Sequence, residues 1–199
     1  MNDAGGGGSS PVYSLVVVAA SAGGLAALAE LLMALPAEFP LPVAVVQHID
    51  PHRASVLATI LSRRTSMRVK EGAAGDVLTP GVVYIAPPND HMIVAEDATI
   101  QLSHAAPIHF LRPSADRLFE TAAGMSGRVI AVVLTGTGSD GALGVAAIKA
   151  AGGTVIAQDE ASSAFFGMPQ AAIHTGLVDF VLPLNRIGSA LISLAAATS

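Results

Sequence analysis

The feature that most constrains this chain is a set of short apolar runs in which polar and apolar positions do not alternate: SLVVVAA (14–20), LPVAVVQ (41–47), RVIAVVL (128–134) and TVIAQ (154–158). A strand that is apolar on both faces has to be covered on both faces, and that is the situation of a strand in a parallel sheet between layers of helix. Helical stretches lie between the runs. They are Leu25 to Leu35 stopped by Pro36, Ala54 to Arg63, Pro113 to Gly124 with Pro113 as the first helical residue, GALGVAAIKAAGG (141–153), a short helix opened by Met168-Pro169 and ended near Gly176, and Pro183 to Ala197. Met67 to Lys70 and LVDFVL (177–182) add further strands. The alternation predicts an α/β fold, a doubly wound, mostly parallel sheet with helices on both faces. From Pro80 to Ser103 the runs GVVYIAPP, HMIVAED and ATIQLSH are separated by turn residues, and we read them as a short antiparallel insertion.

The stretch Ser14 to Leu35 is long and apolar enough to suggest a membrane span, but Glu30 lies inside it and Gly23-Gly24 break it. The preceding MNDAGGGGSSP has no lysine or arginine, whereas a secretory signal opens on positive charge. We expect a strand and a helix that are not membrane-inserted. Residues 1–11 read as a flexible tail or linker remnant and residues 12–199 as one folded domain, whose 52% hydrophobic content is enough for a large core. A net charge of -5 without a basic run argues against nucleic acid as a partner. The absence of cysteine excludes disulfides, thiolate catalysis and cysteine-ligated zinc, and fits a reducing, cytoplasmic location.

In a sheet of this kind, ligands and catalytic groups gather beyond the carboxyl ends of the strands. The residues there are Ala20 to Gly24, Gln47 to Asp50, Gly136 to Gly141, and Gln158 to Glu160. Ser21 is either the N-cap of the following helix or a nucleophile on a tight strand-to-helix turn, with helix amides beside it to hold an oxyanion. His48 is either a packed histidine or a general base. His52 competes for that role, although its spacing from His48 does not make a metal site, because Pro51 breaks the intervening helix. GTGSDG (136–141) matches a dinucleotide-binding turn, with Asp159 and Glu160 about twenty residues on. Asp140, however, would put a carboxylate where the pyrophosphate belongs. At the end of a strand it is well placed to orient a histidine instead. Arg112 either binds an acidic group or pairs with Asp116 one turn along its helix. His91, His104, His109 and His174 are read as surface or packing residues.

Ser21, His48 and Asp140, taken with SAGG (21–24), YIAPPNDHM (84–92), RPSADRLF (112–119), LTGTGSDG (134–141) and QDEASSAFFGMPQAAI (158–173), resemble the catalytic domain of CheB-type chemotaxis methylesterases. The resemblance implies hydrolysis of glutamate methyl esters on the cytoplasmic domain of chemoreceptors, and in some members deamidation of receptor glutamines. It implies Ser21 as nucleophile, His48 as base and Asp140 as orienting acid. Ala22, Thr137, Gly138 and Met168 would be oxyanion or cleft residues, and no cofactor or metal is implied. Ala19 stands where the family often has glycine, and Thr137 where methionine is common. The typical enzyme of this kind carries an N-terminal receiver domain, which eleven tail residues cannot form, so the domain is expected to be a stand-alone enzyme, a piece of a larger protein, or one regulated by another chain, such as a separate receiver domain or regulator in trans. The rival readings are a dinucleotide-binding module built on Gly136 to Gly141 and a catalytically silent, receptor-binding relative.

Overall fold

The computed structural model describes residues 13–48 and 55–196. The expectations for the tail and for His52 lie outside these residues. Seven strands form one parallel sheet: β1 (Tyr13–Ala20), β2 (Val43–Gln47), β3 (Arg68–Glu71), β4 (Val82–Ile85), then β7 (Arg128–Val133), β8 (Thr154–Gln158) and β9 (Phe180–Leu182), in the order β3-β4-β2-β1-β7-β8-β9. Strands β5 (His91–Val94) and β6 (Ile100–Ser103) pair antiparallel in a separate two-stranded sheet.

The central strand β1 shows why its sequence lacks alternation. Val16, Val18 and Ala20 enter one core, with Leu28, Leu31 and Leu32 of α1 (Gly24–Met33), Leu61 of α2 (Leu57–Ser62) and Leu191 of α6 (Leu184–Ala196). Leu15, Val17 and Ala19 enter the opposite core, with Leu118 and Phe119 of α3 (Ala115–Ala122), Val145 and Ile148 of α4 (Ala142–Ala150), and Ala172 of α5 (Gly167–His174). Positions 15–20 of the strand are therefore all apolar for a packing reason. Each fully buried Val or Leu contributes about 1.5–3 kcal/mol of transfer free energy.

Two expectations need correction. GVVYIAPP is not part of an antiparallel insertion: β4 pairs parallel with both β2 and β3. All four β4 residues are buried, Val83 and Ile85 in one core and Val82 and Tyr84 in the other, so this run obeys the same two-sided rule as β1. Only HMIV and IQLS form the antiparallel pair. Pro113, for its part, precedes the helix instead of opening it, because Ser114 is the extended N-cap and α3 starts at Ala115. No helix among the described residues is long and apolar enough to cross a membrane.

Candidate active site

The sheet order places the ends of β2, β1 and β7 side by side. Ala20 is in register with Gln47 of β2, and Ala19 with Val133 of β7. The backbone beyond β1 is pinned from both sides: Ser21 N–H donates to Thr135 O at 3.0 Å, and His48 N–H donates to Ala20 O at 3.1 Å. Ser21 thus leaves the sheet between two neighbours that fix its direction. The next helix is capped at Gly23, in the left-handed region at φ 78°, with no side-chain capping bond. The Ser21 hydroxyl is consequently not consumed as an N-cap, and the residue is half-buried at the rim of the turn.

His48 follows β2 and turns its Nε2 to Asp140 Oδ2 at 2.7 Å. Asp140 is only 3% exposed, yet four donors meet its carboxylate. Ser114 Oγ (2.8 Å) and the Asp116 amide (3.0 Å) donate to Oδ1, while the Ala115 amide (2.6 Å) joins His48 on Oδ2. Burial opposes the charge, but the hydrogen bonds from His48, from the amides of Ala115 and Asp116, and from Ser114 outweigh it and hold the carboxyl at about 2. A charged Asp140 fixes the imidazole and leaves Nδ1 as the ring nitrogen not engaged with it. Among the described residues no hydrogen bond joins Ser21 Oγ to His48, an arrangement common in unliganded sites, where that bond tightens only with substrate.

Polar residues to which the sequence reading gave no role hold this geometry. Gln47 is buried and donates through Nε2 to Ser21 O (2.8 Å) and His48 O (3.0 Å), tying the two candidate residues to one side chain. Thr135 Oγ1 donates to Ala22 O (3.0 Å) and accepts from Phe165 N (2.9 Å), and Gln158 Oε1 accepts from Thr135 N (2.8 Å). The available signal was a polar side chain closing an apolar strand, at Gln47 and Gln158. What each amide would bond depends on loops far away in sequence.

The amides of Ala22 and Gly138 have no backbone acceptor among the described residues. Thr137 and Gly138 are exposed, and Gly138 has a φ of 85°. Met168 is fully buried and its amide donates to Gly136 O at 2.9 Å, so it supports the turn from below. Gly136 is required by close approach: a Cβ there would stand 2.2 Å from Met168 Sδ and 2.8 Å from Ser21 Cβ. A groove of about 460 Å³ starts at Ser21 and runs past Leu25, Ala29 and Ile60 to Arg64.

Two further expectations are corrected. The dinucleotide turn has no free helix N-terminus to offer, because Asp116 Oδ1 already accepts from the amides of Gly141 (2.9 Å) and Gly144 (2.8 Å) at the start of α4. A carboxylate therefore occupies the place a pyrophosphate would need. Arg112 does not pair with Asp116 either. It donates to Asn89 Oδ1 (2.7 and 3.1 Å) and to the carbonyls of His104 (3.0 Å) and Ala105 (2.9 Å), bracing a loop. His91 is buried behind the site, with Nδ1 accepting from Ser114 N at 3.2 Å.

The CheB methylesterase family model matches residues 16–191. The chain belongs to the CheB methylesterase family. It is 47% identical over 172 residues to protein-glutamate methylesterase/protein-glutamine glutaminase 2 of Anaeromyxobacter dehalogenans, covering 86% of this chain and 50% of that protein. To the protein-glutamate methylesterase/protein-glutamine glutaminase of Moorella thermoacetica it is 44% identical over 179 residues, covering 87% of this chain and 42% of that one. The chain thus spans about half the length of these curated relatives. The solved Thermotoga maritima CheB methylesterase catalytic domain superposes with a TM-score of 0.87 at 38% identity, covering 92% of this chain and 98% of that one. The α/β fold is the fold of that family's catalytic domain.

Proposed function

We propose that residues 12–199 form a catalytic domain that hydrolyses glutamate methyl esters on the cytoplasmic domain of chemoreceptors, with Ser21, His48 and Asp140 as its acyl-transfer machinery. The observation that carries this reading is the His48–Asp140 bond of 2.7 Å at the end of β2, next to the β1 end from which Ser21 projects. Ser21 Oγ attacks the ester carbonyl while its proton passes to His48 Nδ1. The imidazolium formed is stabilised by Asp140 through Nε2–H. Negative charge developing on the carbonyl oxygen is met by backbone amides of the turns beside Ser21, those of Ala22, Thr137 and Gly138. Collapse of the intermediate expels methoxide, which takes the proton from His48 and leaves as methanol. Water then attacks the acyl-serine, with His48 again accepting a proton, and releases the glutamate carboxylate and free Ser21. The same steps on a glutamine side chain would release ammonia, which accords with the glutaminase half of the relatives' names.

The reading places the protein in the cytoplasm, where such receptor domains reside. Incubation with a methyl-labelled receptor fragment, followed for released methanol, tests it. Methanol release by the chain and its loss in Ser21→Ala are the expected results. Absence of release from any glutamate methyl ester by the folded protein would overturn the assignment.

A further inference from the structure

Helices α3 and α4 meet at their N-termini, and the first amides of each are taken by a carboxylate from the N-terminal segment of the other. Asp140, directly before the α4 N-cap Gly141, takes the amides of Ala115 and Asp116 in the first turn of α3. In return Asp116, in that same turn, takes the amides of Gly141 and Gly144 through Oδ1. The approach is close enough that a Cβ on Gly144 would stand 2.5 Å from Phe119 Cβ. Asp116 is 2% exposed, and its Oδ2 is buried without a hydrogen-bond partner among the described residues. Burial first, and then the charge of Asp140, push its carboxyl up to about 6 against the pull of the Gly144 and Gly141 amides. A second acidic group behind Asp140 is thus held in an environment that disfavours its charge.

We propose that Asp116 is the positioning residue of this site: by fixing the N-terminus of α4 it holds the adjoining Asp140 carboxylate against His48. The inference rests on the catalytic roles assigned above to Asp140 and His48. The α4 N-cap Gly141 follows Asp140 immediately, so any shift of that terminus moves the carboxylate. Without the Asp116 acceptor, two buried amides lose their partner, and the terminus must move or admit water to satisfy them. The titratable groups that face Asp116 are Asp140 across the junction, His48 beyond it and His91 through Ser114.

The test compares the whole chain with Asp116→Ala and Asp116→Asn on a receptor fragment carrying glutamate methyl esters. It also follows the low-field Nε2–H proton resonance of His48. Asparagine keeps an oxygen for Gly141 and Gly144, so kcat within about threefold of the parent and an unchanged resonance are expected. Alanine removes the acceptor, and kcat should fall by roughly 30- to 100-fold with KM within about twofold, the scale of a misplacement of about 1 Å; the resonance should move or broaden. Should the alanine variant not fold, Asp116→Glu, which carries the carboxylate one methylene too far, replaces it with the same expectation. A folded alanine or glutamate variant with parental kcat and an unmoved resonance would overturn the proposal. Absence of methanol release by the parent would instead count against the esterase reading, while the resonance would still report on Asp116.

Discussion

Replacing Asp140 by asparagine removes one charge and leaves the shape of the side chain almost unchanged, so its consequences can be worked out atom by atom. The carboxylate accepts four hydrogen bonds, two on each oxygen. With the amide nitrogen in the Oδ2 position, it would face the Ala115 N–H and the His48 Nε2–H. With the nitrogen in the Oδ1 position, it faces the Ser114 hydroxyl, which can turn to accept, and the Asp116 N–H, which is left without a partner. The second orientation is cheaper, and one orphaned buried donor costs about 1–3 kcal/mol. A second route gives the same size. The hydrogen bonds hold the Asp140 carboxyl at about 2, below the ordinary aspartate range, so its ionised form stabilises the fold at neutral pH by on the order of 2 kcal/mol. We therefore expect Asp140→Asn to remain folded but to lose about 2–3 kcal/mol in denaturant unfolding at pH 7. The catalytic loss should be far larger, about ten-thousandfold in kcat, because the imidazolium formed on His48 has no charged partner. The assays are urea unfolding and methanol release from a methyl-esterified receptor fragment. A variant with parental stability and turnover within tenfold would refute the reasoning, since neither the charge nor the four-donor site could then matter as argued.

Ser21→Ala should abolish methanol release, by roughly a millionfold, with the melting temperature little changed, because the hydroxyl makes no capping bond in this turn. Gly136→Ala should reduce kcat by about a hundredfold: Met168 Sδ can swing away from the new Cβ, but Ser21 Cβ at 2.8 Å can move only with the backbone, and steady-state kinetics on the folded variant check this. Stability should also depend on pH in two windows of opposite sign. Asp140, lowered to about 2, gives stability that is lost as pH falls from about 4 toward 2. Asp116, raised to about 6, gives stability that is present below about 4 and is lost as pH rises toward 6, by about 3 kcal/mol. Denaturant unfolding of Asp116→Asn should show the first slope and lack the second, and persistence of the second would assign it to another group.

The sheet was legible in the sequence because it depends on local information, and the same strand ends set out Ser21, His48 and Asp140 as candidates, whose roles came from the family resemblance. A run such as VVVAA, apolar at every position, can be buried only between two layers, and a strand that is followed by small residues and then a helix delivers Ser21 to the carboxyl end of the sheet. The same rule applied to VVYI would have placed β4 correctly. The Pro-Pro turn and the neighbouring short runs drew it into the hairpin instead, although its lack of alternation already distinguished it from them. What tertiary structure alone decided is the set of partners. Arg112 and Asp116 are spaced for an ion pair one turn apart on a helix, yet α3 begins only at Ala115, which leaves Arg112 in the preceding loop to brace Asn89 and frees Asp116 to cap α4. The start of α3 is itself fixed by Asp140, a residue twenty-four positions from Asp116. GTGSDG carries the local pattern of a phosphate-binding turn, and only the carboxylate delivered from another helix fills its anion position. Local propensity and periodicity sense neighbours within a few residues along the chain. A buried donor is satisfied by whichever acceptor the packed layers bring to it, and that acceptor is known only once the layers have formed.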